Sequence, residues 1–329
     1  METTTIERRK SYGLLIVGVV LLIASLIFTV HAHNTSYQES LPLASQISEL
    51  KTQIQAIEDG TESGDKDALS AEKSTLSDQK LDLERPYSFG LTATFFAILL
   101  VAKGLYNALL GIAVTKKTDI SRLAQAGLLA ALCYIGFAFL KIDIPVGPEK
   151  TAFHFGNVFC VLAALLLGGY WGGLAGAVGM TIGDLTTSYV TSAPKTFLLK
   201  LCIGLIVGLV AHNIGKISRK HSRKYITGMT ILAAFCGMAF NVVADPLVGY
   251  FYKMYLLGVP QELSAALAKM STLTTSVNAV VAVIASSVFY LALRPALKKA
   301  GLFVEVTPEG KDNSKKETTT HTNLPMDEN

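Results

Sequence analysis

The chain has 329 residues, of which 50% are hydrophobic and 16% charged, with a formal net charge of +4. That composition excludes an ordinary soluble domain, because so many apolar residues with so few charges need lipid to cover them. The basic residues cluster beside apolar runs rather than along one helical face, which argues against a nucleic-acid partner and makes the charge a marker of membrane topology.

In chain order, Glu7-Arg-Arg-Lys10 precedes an uncharged stretch from Tyr12 to Val30. This stretch is longer than the roughly 7–15-residue core of a signal peptide. His-Ala-His at 31–33 is a poor cleavage site, so a retained anchor is predicted. Further stretches near the roughly 20 residues needed to span a bilayer run from Phe89 to Val114, Ile120 to Leu140, Phe153 to Tyr170 and Gly172 to Tyr189. Phe197 to Ile214, Tyr225 to Tyr250 and Leu263 to Leu293 complete eight predicted spans.

Between the first two spans, Leu43, Ile47, Leu50, Ile54 and Ile57 recur in steps of four and three. Leu69, Leu76 and Leu83 recur every seven, with a polar, Gly-containing segment at 58–65 between the two sets. The pattern predicts an antiparallel, coiled-coil-like helical hairpin. The expected organisation is 1–31, N-terminus and first span; 32–87, hairpin; 88–118, second span; 119–301, a six-helix membrane domain; and 302–329, a polar disordered tail. The fold class is all-α and polytopic. The hairpin's role is open between a spacer and a sensory or docking device.

Short cytoplasmic loops carry the Lys and Arg excess. With the N-terminus inside, four clusters fall inside together: Arg8 to Lys10; Lys116, Lys117 and Arg122; Lys216, Arg219, Lys220, Arg223 and Lys224; and Arg294, Lys298 and Lys299. The hairpin and the loops at 141–152, 186–195 and 252–262 are then external.

Glycines at four-residue spacing, among them Gly168, Gly172 and Gly176, Gly169 and Gly173, and Gly204 and Gly208, suit close helix packing in lipid. A second small-residue stripe, Ala126, Gly127, Ala130 and Ala131, opens the third span and is a candidate face for a partner subunit. Cys133, Cys160, Cys202 and Cys236 lie in apolar segments without metal-ligand or CxxC spacing, so they are read as packing residues, with no metal and no cofactor.

A charge at mid-membrane costs roughly 2.5–3.5 kcal/mol on insertion scales, so polar residues within spans mark sites or internal pairs. His154 and Asn157 open the fourth span at its outer end. Asp184, with Thr181 and Thr187, lies in the outer part of the fifth span and Lys200 in that of the sixth. Asn241 and Asp245 occupy the outer part of the seventh, and Thr272 and Ser276 that of the eighth, whereas Asn278 is an exception placed in the inner half. These positions predict an outward-facing cavity over an apolar inner plug. Two readings stay open for Asp184 and Lys200, ligand contacts or a mutual ion pair, and for His154, a ligand contact or an interfacial histidine. Tyr189 and Tyr250 are candidates to stack on an aromatic ligand.

The run from Phe153-His-Phe-Gly-Asn157 through Gly168-Gly-Tyr-Trp-Gly-Gly-Leu-Ala-Gly-Ala177, with Gly183-Asp-Leu185 and Ser192-Ala-Pro-Lys-Thr-Phe-Leu-Leu-Lys200, resembles the substrate-binding S component of energy-coupling-factor (ECF) vitamin transporters, riboflavin-type group. The resemblance covers roughly Ile120 to Lys299. It implies a binder of a vitamin or vitamin precursor that works with a transmembrane scaffold subunit and two cytoplasmic ATPases, ATP being hydrolysed elsewhere. No GxxxxGK[ST] phosphate loop occurs in this chain. The resemblance also maps scaffold docking onto Ala126 and Ala130. Where the family often carries an acidic residue after the Phe-His-x-Gly segment, this chain has Asn157, which leaves the vitamin unassigned. A membrane sensor using the external hairpin is the competing reading. An intramembrane enzyme finds no nucleophile and base at matched depth.

Overall fold

The computed structural model describes residues 2–110, 120–146, 149–219 and 221–306. The topology markers Lys116, Lys117 and Lys220, and the tail from residue 307, lie outside the described residues. A chain this apolar must satisfy its backbone internally wherever lipid surrounds it, and helices do so within each segment. Among the described residues six helices are long and apolar enough to cross a membrane.

The first, α1 (Glu2–Ala32), continues through a π-helical turn at His33–Tyr37 into α2 (Gln38–Glu58). The chain reverses at 59–65, where the Asp65 carboxylate accepts the amide N–H groups of Asp67 and Ala68 and so caps α3 (Lys66–Leu110). Ile47, Leu50 and Ile54 are buried in the hairpin seam. The hairpin legs and the first two spans are therefore continuous helices, without a break at residue 31 or 87. Gly18 and Gly104 let α1 and α3 touch backbone to backbone, since a Cβ at either would sit about 2.8–2.9 Å from backbone of the opposite helix.

The remaining helices are α4 (Ile120–Ala138), α5 (Gly156–Leu167), α6 (Gly169–Thr186), α7 (Ala193–Gly208), α8 (Arg223–Phe251) and α9 (Gln261–Lys299). Glycine sets the packing of α5, α6 and α7. A Cβ at Gly204 would collide with the Gly173 backbone, and one at Gly208 with Gly169, so this glycine pattern is internal packing. Leu165, Phe197, Ile203 and Val207 fill the core behind them.

The stretch from Phe153 to Tyr170, expected as one span, is divided. Lys141–Val146 forms β1 and Glu149–His154 forms β2, an antiparallel pair in which Lys141 faces His154 and Val146 faces Glu149. Helix α5 has 12 residues, about 18 Å against the roughly 30 Å of a hydrocarbon core. The strand pair takes the place of its missing first turns. At its other end Gly168, at φ 84°, turns the chain directly into α6. The start of the expected tail is also packed: Leu302 accepts a hydrogen bond from Gln125, Phe303 lies against Arg294 and Lys298, and the Val306 side chain is 2.9 Å from where a Gly168 Cβ would stand.

Candidate functional site

Because α5 is short, the β1–β2 pair dips between the helix ends, and the Asn278 carboxamide holds it there. It accepts the His154 amide N–H at 3.0 Å and donates to the Ala152 carbonyl at 3.1 Å, so α9 satisfies the strand as a neighbouring strand would. Thr151 and Thr274 add a hydroxyl contact at 2.9 Å. Beneath this lip lies a cavity of about 110 Å³ bounded by β2, the ends of α5 to α9 and the 188–196 segment.

His154, Asn157, Asp184, Tyr189, Lys200, Asn241 and Asp245 all line it. The structure thus gathers residues that sequence spreads over more than ninety positions. His154 belongs to β2 and not to a helical face shared with Asn157; the two meet at the cavity because the chain turns at Phe155. Burial and the nearby Lys200 ammonium push the His154 imidazole down to about 3, so it faces the cavity as a neutral group.

Of the two readings for Asp184 and Lys200, the mutual ion pair is not formed. The Lys200 ammonium donates to Asn241 Oδ1 at 3.4 Å. The ion pair is instead Lys195 with Asp245, at 2.9 Å, and the second Asp245 oxygen accepts from Ser271 at 2.6 Å and Thr275 at 3.3 Å. Three buried atoms on the opposite wall have no partner: His154 Nδ1, Asn157 Oδ1 and Asp184 Oδ2. Buried polar atoms are otherwise paired as a rule, so this wall offers hydrogen-bonding capacity to something that enters.

The rim is ionic and aromatic. The Tyr189 hydroxyl donates to Asp143 Oδ1 at 2.9 Å, Lys141 pairs with Asp143 at 3.2 Å, and Phe137 stands edge-on to both His154 and Tyr189. Tyr250 does not line the cavity and stacks edge-on with Phe251 instead. Thr272 and Ser276 return their hydroxyls to their own helix; Ser271, Thr274, Thr275 and Asn278 face the cavity in their place. Thr181 is buried outside the cavity lining.

The small-residue stripe of α4 splits. Ala126 is buried and Ala130 half-buried, with the Ala130 carbonyl so close to Gly179 that a Cβ there would collide with it. Ala130 thus packs on α6 through Gly179. Gly127 and Ala131 remain exposed.

Lys195, Ser271, Thr275, Glu149 and Lys253 were not singled out by sequence. Lys195 carried one signal, its place in the Ser192-to-Lys200 segment.

A polytopic helical bundle with one polar, partly unsatisfied cavity near the ends of its helices defines a solute-binding membrane subunit. Residues 117–295, more than half the chain, match the family described as ECF-type riboflavin transporter, S component, and the chain belongs to that family. It is a multi-pass membrane protein and the substrate-binding subunit of a transporter, and its family is not one of enzymes. Neither a curated protein nor a solved structure gives a match.

Proposed function

We propose that the chain captures a vitamin or vitamin precursor from outside the cell for an ATP-driven importer. Residues 119–301 form the binding domain, and riboflavin, named in the family's description, is the first candidate. The observation that carries this reading is the wall of His154, Asn157 and Asp184, three neighbouring cavity residues each with a buried atom lacking a partner. Phe137, Met180 and Tyr189 offer apolar surface beside them for a ring.

Orientation follows from charge. The cavity lies at the end of the helices opposite Arg122, Lys216, Arg219, Arg223, Lys224, Arg294, Lys298 and Lys299, which by the positive-inside rule supports an external cavity and two cytoplasmic termini. The importer requires a transmembrane scaffold subunit and two cytoplasmic ATPases as partners. The exposed pair Gly127 and Ala131 is the proposed scaffold contact, with Ala126 and Ala130 supporting it from beneath.

The test is equilibrium binding by the purified chain, without ATP, against riboflavin, pyridoxine, thiamine precursors, folate and pantothenate, with mass spectrometry of whatever co-purifies. One tight binder is expected, and failure of the whole panel would overturn vitamin capture. Co-purification with scaffold and ATPases should be lost on Gly127→Trp with Ala131→Trp while ligand binding persists. Intact assembly in that double variant removes the docking face.

A further inference from the structure

Helix α3 lies outside the family-matched segment, yet it reaches the cavity lip. Lys80 Nζ stands 2.8 Å from Glu84 Oε1 on the same helix and 3.4 Å from Glu149 Oε1 on β2. The other Glu149 oxygen pairs with Lys253 at 3.2 Å. Glu149 and Lys253 both line the cavity, and none of the four side chains is more than 21% exposed. Burial alone would raise the Glu149 carboxyl, but Lys253 and Lys80 outweigh it and hold the group at about 2.

The hairpin itself is fixed by contacts away from the lip. The Tyr37 hydroxyl donates to the Leu257 carbonyl at 2.7 Å, the Tyr87 hydroxyl to that of Leu256 at 3.2 Å, and Phe96 packs on Phe197 at 4.2 Å between ring centres. Helix α3 is thus a post and β1–β2 a lip tied to it. The cavity beneath, about 110 Å³, is well below the roughly 300–1,000 Å³ typical of small-molecule pockets. A vitamin-sized solute therefore requires the lip to move.

We infer that the amino-terminal hairpin straps the β1–β2 lip over the cavity through Lys80, Glu149 and Lys253, so that solute enters or leaves only when Lys80 and Glu149 part. What passes the strap rests on the solute-capture reading, but the strap can be tested without any ligand. Ala268, a half-buried cavity residue on α9, is replaced by Cys in the full chain in lipid nanodiscs. Its reaction rate with a sulfonated maleimide is then measured, and the rate of the unsubstituted chain, which has its own four cysteines, is subtracted.

Adding Lys80→Gln should raise that rate about tenfold or more, the scale of losing one hydrogen bond to a charged group. Lys80→Arg should restore the slow rate, and Asp82→Asn, which removes the exposed pair with Arg85, should leave it unchanged. If Lys80→Gln fails to fold, Glu149→Gln on the Ala268→Cys chain replaces it, with a similar acceleration expected because both ties of the lip are weakened. A folded Lys80→Gln or Glu149→Gln protein labelled at the parental rate overturns the strap and leaves the cavity reading intact. No labelling under any condition overturns both.

Discussion

The two walls of the cavity are built from similar residues and solved differently. On the α7–α9 side, Asp245 takes Lys195 on one oxygen and Ser271 and Thr275 on the other, so the carboxylate has its partners within the protein. On the β2–α5–α6 side, His154, Asn157 and Asp184 each leave a buried atom without a partner. A buried charge that is fully paired holds helices together, whereas a buried polar atom left open retains desolvation cost that an incoming hydrogen bond can recover. The difference separates an acidic residue whose partners lie within the protein from one with an open acceptor, although both are aspartates in apolar helices.

The largest effect should come from breaking the satisfied wall. Lys195→Met strands Asp245 and should cost about 3–5 kcal/mol of stability. Asp245→Leu added to it should recover part of that loss, because the stranded carboxylate is gone while buried Lys200 also loses that charge. Thermal unfolding in nanodiscs reads both variants; a single variant as stable as the parent would erase the contrast.

The open wall should respond in binding instead. Asp184→Asn preserves shape, so its unfolding midpoint should stay near the parental one. Affinity for the bound solute should fall about tenfold to a hundredfold, the worth of a hydrogen bond to a charged group. Normal affinity together with a lowered midpoint would make Asp184 a structural residue like Asp245.

The fold was largely legible, because hydrophobic length and glycine spacing report directly on lipid-facing helices and their contacts. The strand pair was hidden. Its stability comes from Asn278, more than a hundred positions away, whose carboxamide stands in for a neighbouring strand. The same long-range contact explains why Asn278 looked misplaced: depth counted along α9 does not show that β2 descends to meet it. The cavity's residue types were readable from polar positions in apolar runs, but their pairing was not. Lys195 sits in the first turn of α7 and resembles an interfacial charge until α8 brings Asp245 beside it. Helical phase was the other gap, since Thr272 and Ser276 are as polar as Ser271 and Thr275 and only the packing of α9 chooses between them.

The smallest expected effect separates the walls by pH. His154, on the open wall, is neutral when folded, with burial and Lys200 lowering it to about 3, while an unfolded histidine titrates near 6.5. Between those values the unfolded chain binds the additional proton, so stability rises with pH and is lost on acidification below about 6.5. From pH 7.5 to 5.5 this loss should reach about 1.4 kcal/mol, the value of roughly one pH unit below the unfolded titration point. Glu149 has the same sign but a lower window, from about 4.5 down to about 2, as its pairs with Lys80 and Lys253 are neutralised. His154→Gln should therefore reduce the loss of stability between pH 7.5 and 5.5 by about that amount and leave the acid limb below 4.5. A slope unchanged by that substitution would mean that the imidazole can be charged in the folded cavity, and the open wall would then present a cation where the geometry presents a neutral ring.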